Sequence, residues 1–198
     1  MDRQKSLKAI KFLLASAGLI SLYGILEHFG RSPSCLYVSF TQSPLRDVLG
    51  NFNKYFSVAC WEQDVQIRVF ATLGQPNWLA AWLVALIPIS WALALNTKLR
   101  NWTWVGISAL LFTTLLFTKS RSGLFGFVVA DIIFWAILTK SYISRRALKE
   151  HPLKQQNFVK TFLILNSLFV ILVFLVGTPW PPSITGYRSH NLQPITDD

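Results

Sequence analysis

The chain is 198 residues long, 52% apolar and only 14% charged, with a net charge of +10. That is too apolar for an ordinary soluble domain, and the apolar residues fall in runs of roughly 17 to 20, about the length that crosses a ~30 Å hydrocarbon core. The basic residues flank these runs instead of sharing one soluble face, which excludes nucleic acid as the reason for the charge.

The first apolar run covers about residues 10–29, behind Arg3, Lys5, Lys8 and Lys11. Ala15-Ser16-Ala17 has the look of a signal-peptide cleavage site, but the run continues well past it to Glu27-His28-Phe29, so a retained helix is expected. Residues 30–72 form a loop of about 40 residues. Within it, Ser43-Pro44 reads as an N-cap followed by proline at the first helical position. Leu45, Val48, Leu49, Phe52, Tyr55, Phe56 and Ala59 then share one helical face, which predicts a short helix on the membrane surface or against the bundle. Val65, Ile67 and Val69 alternate with Gln66 and Arg68, which predicts a short extended segment. The second span is expected over 76–95, kinked at Pro88. The third and fourth follow over 102–118 and 122–138. Residues 139–160 form a basic linker, the fifth span covers 161–176, and a polar tail follows.

The fold class is therefore all-α: one polytopic transmembrane helix bundle over 1–198, with about five spans. Placing the N-terminus inside puts twelve of the nineteen Lys and Arg residues in inner segments, including the six of the 139–160 linker. The outer segments hold the other seven over nearly twice the length. The positive-inside rule thus favours N-terminus in and C-terminus out, with 30–72 as the first outer loop and 139–160 cytoplasmic. Trp78, Trp82, Trp102, Trp104, Trp135 and Trp180 fall near span ends, as an aromatic belt requires. Cys35 and Cys60 lack zinc-ligand or CxxC spacing; in an outer loop they are either a disulfide or two unpaired thiols.

This topology points the N-termini of the second and fourth helices at the same outer face. Helix N-termini carry unpaired N–H groups and a positive dipole end, which attract anions. One begins in Gly74-Gln75-Pro76-Asn77, where glycine allows close backbone approach. The other begins in Lys119-Ser120-Arg121-Ser122-Gly123, with Ser120 as the expected cap. Arg68 precedes the first, and Lys119 and Arg121 mark the second. Such a set suits a phosphate or pyrophosphate; the plainer alternative is that Lys119 and Arg121 snorkel to anchor the turn. Asp131 lies mid-span in the fourth helix, where a carboxylate marks a functional path, a buried pair or a group protonated in place. Glu27 and His28 read as a solvated helix end, with contact to a headgroup or sugar as the alternative. No metal-ligand cluster, nucleotide loop or Ser-His-Asp order is visible, and His28, His151 and His190 are scattered.

Two stretches carry a resemblance. Arg68-Val69-Phe70-Ala71-Thr72-Leu73-Gly74-Gln75-Pro76-Asn77-Trp78-Leu79-Ala80 resembles the loop-to-helix approach of the bacterial O-antigen ligase and polymerase superfamily, where an arginine precedes a Gly-x-Pro-Asn-x-x-Ala run. Thr118-Lys119-Ser120-Arg121-Ser122-Gly123 resembles that family's Thr-x-Ser-Arg-Ser/Gly turn. The resemblance implies a glycan transferase of the bacterial inner (plasma) membrane, needing no metal, nucleotide or other cofactor. It would take an oligosaccharide from an undecaprenyl-pyrophosphate carrier at the outer face and pass it to a glycan or lipid acceptor. Arg68 and Arg121 would match family arginines that hold the pyrophosphate. The resemblance covers roughly Leu13 to Thr178, the middle part of a full member. Full members carry ten or more spans and a second large outer loop bearing an arginine and a catalytic histidine, a base the chemistry requires. Arg188 and His190 lie where that loop would begin, but no motif matches them to the pair. The expectation is a partial or divergent member of a longer architecture, with the catalytic base not assigned and a second chain as one way to complete the fold.

The expected site is therefore Arg68, Arg121, Lys119 and Asn77 for pyrophosphate, with Asp131 as an intramembrane polar residue and no metal. The rival reading is a non-enzymatic transporter subunit or membrane assembly partner, in which Asp131 and Pro88 line a path between helices. Against it stands the lack of an inverted repeat.

Overall fold

The computed structural model describes residues 3–61, 64–96, 102–147 and 153–178. Among them the regular structure is helical, apart from one isolated bridge between Arg31 and Ser57. In chain order the elements are α1 (Arg3–His28), α2 (Pro33–Gln42), α3 (Leu45–Gly50), α4 (Phe52–Tyr55), a 3-10 turn η1 (Ala71–Leu73), α5 (Pro76–Asn96), α6 (Trp102–Phe117), α7 (Arg121–Ala147) and α8 (Leu153–Val176).

Four of these helices are long and apolar enough to cross a membrane: Gln4–His28, Pro76–Leu95, Arg121–Ser141 and Val159–Val176. The third predicted span corresponds to α6, which has 16 residues and so extends only about 24 Å. It packs against α1, α5, α7 and α8. A helix apolar all round is surrounded where it crosses a core, and the C-terminal half of α6 is: Leu111, Phe112, Leu115 and Leu116 are buried. Helices α1, α7 and α8 turn large apolar side chains outward, among them Phe12, Phe125, Ile132, Ile137, Phe174 and Leu175. Exposed apolar surface on this scale suits hydrocarbon and not water.

Between α5, α6, α7 and α8 lies an aromatic cluster. Trp91 meets Phe127, Phe134, Trp135 and Phe169 at centroid separations of 5.1–6.1 Å, and Phe112 meets Phe127 and Phe169 at 4.6 Å. Small and polar residues carry the tighter crossings, as is common in membrane bundles. Thr114 Oγ1 donates to the Ser21 carbonyl between α6 and α1 at 3.3 Å, and the Ser90 and Ser108 hydroxyls meet at 2.5 Å between α5 and α6. A Cβ on Gly123 would lie 2.6 Å from the Ala80 Cβ, so the α5–α7 crossing requires glycine there.

The helices extend beyond the expected spans. Helix α1 begins at Arg3, ahead of Ile10, taking in the basic N-terminal residues. The 139–160 linker is largely helical, because α7 runs on to Ala147 and α8 begins at Leu153. No proline interrupts the sequence between Arg121 and Pro152, and the Lys, Arg and Ala residues there are good helix formers. Trp135 does not join a belt: it is mid-helix and buried in the aromatic cluster. Trp180 lies outside the described residues.

Ser43 closes α2, its N–H donating to the Ser39 carbonyl, and α3 begins one residue past Pro44. The apolar face over 45–59 is divided between α3 and α4 at Gly50-Asn51, two weak helix formers. Helix α2 was not expected, although Ser32-Pro33 carries the same N-cap and proline signal as Ser43-Pro44. Residues 65–68 form a turn and not an extended segment, because the Asp64 carboxylate accepts the N–H groups of Gln66 and Ile67. Helix α5 continues through Pro88.

Candidate functional site

One end of the bundle gathers the places where α1 and α6 finish and where α5 and α7 begin. Three contacts define it. The His28 ring stacks on Phe117 with centroids 3.9 Å apart, joining the ends of α1 and α6. The Val69 N–H donates to the Phe117 carbonyl at 3.2 Å, meeting an acceptor freed by the end of α6. Ser120 Oγ donates to Asn77 Oδ1 at 3.0 Å, joining the starts of α7 and α5.

The α6–α7 turn is tight. Lys119 adopts a left-handed backbone, φ +48°, in the position where helices commonly end, and its N–H donates to the Leu116 carbonyl at 3.0 Å. A non-glycine residue there carries a conformational cost. In return the chain reverses within Thr118, Lys119 and Ser120. The Thr118 hydroxyl accepts the Ser120 N–H at 3.2 Å. Ser120 then caps α7, its Oγ accepting the Gly123 N–H at 3.1 Å.

The approach to α5 is built differently. Gly74 takes φ +73°, and nothing lies within 4 Å of where its Cβ would stand. Its role is to reverse the backbone, not to admit a close neighbour. Pro76 then occupies the first helical position.

The pyrophosphate residues named from sequence divide into two groups. Arg68, Asn77 and Ser120 come together: Arg68 Nη2 donates to Asn77 Oδ1 at 3.4 Å, and its Nε donates to the Thr118 carbonyl at 3.5 Å. A cation beside the end of α6 also complements that helix's dipole. These bonds occupy two of the five guanidinium N–H donors, leaving three on an exposed side chain. Lys119 and Arg121 flank Ser120 and are exposed, and their side chains make no hydrogen bond or ion pair among the described residues. The end thus presents three cations and one capped helix start, with no carboxylate paired to them among the described residues. Such a surface can hold a phosphate-type anion by charge-assisted hydrogen bonds.

Asp131 stands apart. Its Oδ1 accepts Trp135 Nε1 at 2.8 Å, a partner one turn along its own helix. Cys35 and Cys60 are joined by a disulfide, with Cα atoms 5.5 Å apart, which ties α2 to the chain ahead of Trp61. No group of three or more His, Cys, Asp or Glu side chains placed to hold a metal occurs among the described residues. Arg188 and His190 lie outside the described residues.

Glu27 is a correction. Read as a solvated helix end, it is instead fully buried. Its Oε1 accepts the Ser32 hydroxyl at 3.4 Å, and Ser32 in turn accepts Trp61 Nε1 at 3.1 Å. Close by, the Tyr23 and Ser34 hydroxyls meet at 2.6 Å. This polar group has no linear signature, because its members come from three separated segments. His28 donates from Nδ1 to the Gln66 carbonyl at 2.8 Å, which further pins the 64–70 loop to α1.

No protein-family model, curated protein or solved structure matches this chain.

Proposed function

We propose that the chain is a multi-pass protein of the bacterial inner membrane and the donor-site part of an O-antigen ligase-like glycan transferase. In this reading α6 is a fifth, short span, the N-terminus is inside, and the Arg68–Ser120 end faces out. The twelve-to-seven bias of basic residues supports that orientation. The ligand is the pyrophosphate of a polyprenyl-linked oligosaccharide. Arg68, Lys119 and Arg121 bind its charge, and Asn77 orients Arg68. The acceptor is a glycan or lipid, and a base must take the proton from its hydroxyl as it attacks.

The observation that carries this reading is the hydrogen bonding of Asn77 to both Ser120 and Arg68. It joins the two sequence stretches that resemble the superfamily, which lie some 40 residues apart, at an end of the bundle rich in unpaired cations. The rival transporter reading gains no comparable support, since the Asp131 carboxylate is bonded to Trp135 on the same helix.

The test is equilibrium binding of undecaprenyl pyrophosphate to the purified chain in lipid nanodiscs. Arg121→Ala is expected to lower affinity about tenfold or more, the worth of one charge-assisted bond, while inserting normally. Unchanged affinity would sink the proposal.

A further inference from the structure

Beside the cationic end lies a cavity of about 660 Å³ that opens to the surface, lined by Tyr23, Ser34, Trp61, Phe70, Thr72 and Gly74, among others. That volume lies within the range of sites that hold small organic ligands, roughly 300–1,000 Å³. Its lining mixes three aromatic rings with three hydroxyls. Aromatic faces pack against the apolar C–H faces of a ring, and hydroxyls bond to its polar edges; together they match a saccharide better than an acyl chain, which has no use for hydroxyls.

The aromatic wall is held rigidly. Trp61 is anchored through its indole N–H to Ser32, and Ser32 donates onward to the buried Glu27. The ring stands edge-on to Phe70, with centroids 5.3 Å apart. Its neighbour Cys60 is covalently tied to Cys35 in α2. Tyr23 is fixed by its bond to Ser34. A site whose side chains are locked before a ligand arrives loses little entropy on binding.

The cavity and the cations share one piece of backbone. Phe70 follows Arg68 by two residues and Gly74 precedes Asn77 by three, so the Cα atoms of each pair lie at most about 7 and 11 Å apart. One ligand with an anionic group and an adjoining ring can reach both. We infer that this cavity is a saccharide subsite, in which Trp61 and Tyr23 hold the sugar joined to a pyrophosphate bound by Arg68 and Arg121. The inference rests on the proposed function for the link between sugar and phosphate, while the saccharide binding itself stands on the cavity.

The experiment uses the full chain in nanodiscs with three probes: undecaprenyl pyrophosphate, the same carrier bearing an oligosaccharide, and a panel of free hexose, N-acetylhexosamine and deoxyhexose oligosaccharides. The variants are Trp61→Ala and the gentler Tyr23→Phe, each checked for insertion. The glycosylated carrier is expected to bind about tenfold more tightly than the bare one, and each variant should reduce that ratio without changing affinity for the bare carrier. Equal ratios in parent and variants, with both carriers bound, overturn the subsite and leave the proposed function standing. If neither carrier binds, the proposed function fails and the free panel decides alone. Binding lost in Trp61→Ala and Tyr23→Phe then upholds the subsite, and no such binding overturns it.

Discussion

Asn77 and Ser120 are 43 residues apart in the chain and 3.0 Å apart in space, Oδ1 to Oγ. The same Asn77 oxygen accepts from Arg68, and the same Ser120 oxygen caps α7. One amide and one hydroxyl thereby fix the relative positions of two helix starts and of the arginine between them.

That coupling can be measured. Ser120→Ala removes both the cap and the Asn77 contact, and should lower the stability of the purified protein by about 1 kcal/mol. Asn77→Ala should cost a similar amount and leave Arg68 held by the Thr118 carbonyl alone. A double-mutant cycle read by thermal unfolding in detergent should give a coupling of roughly 0.5–1.5 kcal/mol. Strict additivity would mean that the contact contributes nothing.

Gly123→Ala should be poorly tolerated. Its Cβ would meet the Ala80 Cβ at 2.6 Å, and neither helix backbone can yield without opening the α5–α7 crossing. Overpacking of this kind costs about 1–3 kcal/mol. Gly106→Ala is the matched control, because nothing lies within 4 Å of its Cβ position. Unfolding midpoints should fall for the first and hold for the second.

Reducing the Cys35–Cys60 disulfide should loosen α2–α4 while sparing the bundle. The bridge closes a separation of 25 residues, and its loss should cost about 2–5 kcal/mol, expressed locally. The expected readout is faster proteolysis between residues 30 and 61 in the Cys35→Ser/Cys60→Ser protein, with the span fragments unchanged. Equal protection with and without the bridge would contradict this.

Asp131→Asn should insert normally and bind carrier like the parent. The amide oxygen can still accept Trp135 Nε1, and a formal charge is removed from an apolar span. Loss of carrier binding in this variant would give Asp131 a role that its contact with Trp135 does not explain.

The helices were legible because a membrane span is a one-dimensional signal. Length, apolarity and flanking charge each survive without knowledge of neighbours. The Ser120 cap was legible for the same reason, as a local pattern. What stayed hidden was set by side-chain hydrogen bonds, some local and some between distant segments. Glu27 reads as a helix end facing water, and only the fold brings Ser32 beside it and Trp61 onto Ser32. The turn at Asp64 won over the alternation of Val65, Ile67 and Val69, because one carboxylate captured two backbone donors. Helix ends are harder to read than spans where charged residues continue a helix, as in α7, since Lys and Arg favour helix whether or not lipid surrounds it. Arg68 was read as an anion ligand alone, but it also ties the loop to the Thr118 carbonyl.

The most direct measurement is the affinity of undecaprenyl pyrophosphate for the parent, Arg121→Ala and Arg68→Lys proteins in nanodiscs, with insertion and unfolding midpoints recorded alongside. The Arg121 side chain makes no hydrogen bond or ion pair among the described residues, so its loss should leave stability unchanged and reduce affinity about tenfold or more. Arg68→Lys keeps the charge but loses the planar fork, and should weaken binding less than Arg121→Ala does. Affinities within twofold of the parent for both variants would contradict the pyrophosphate site and leave Lys119 and Arg121 as anchors of a turn.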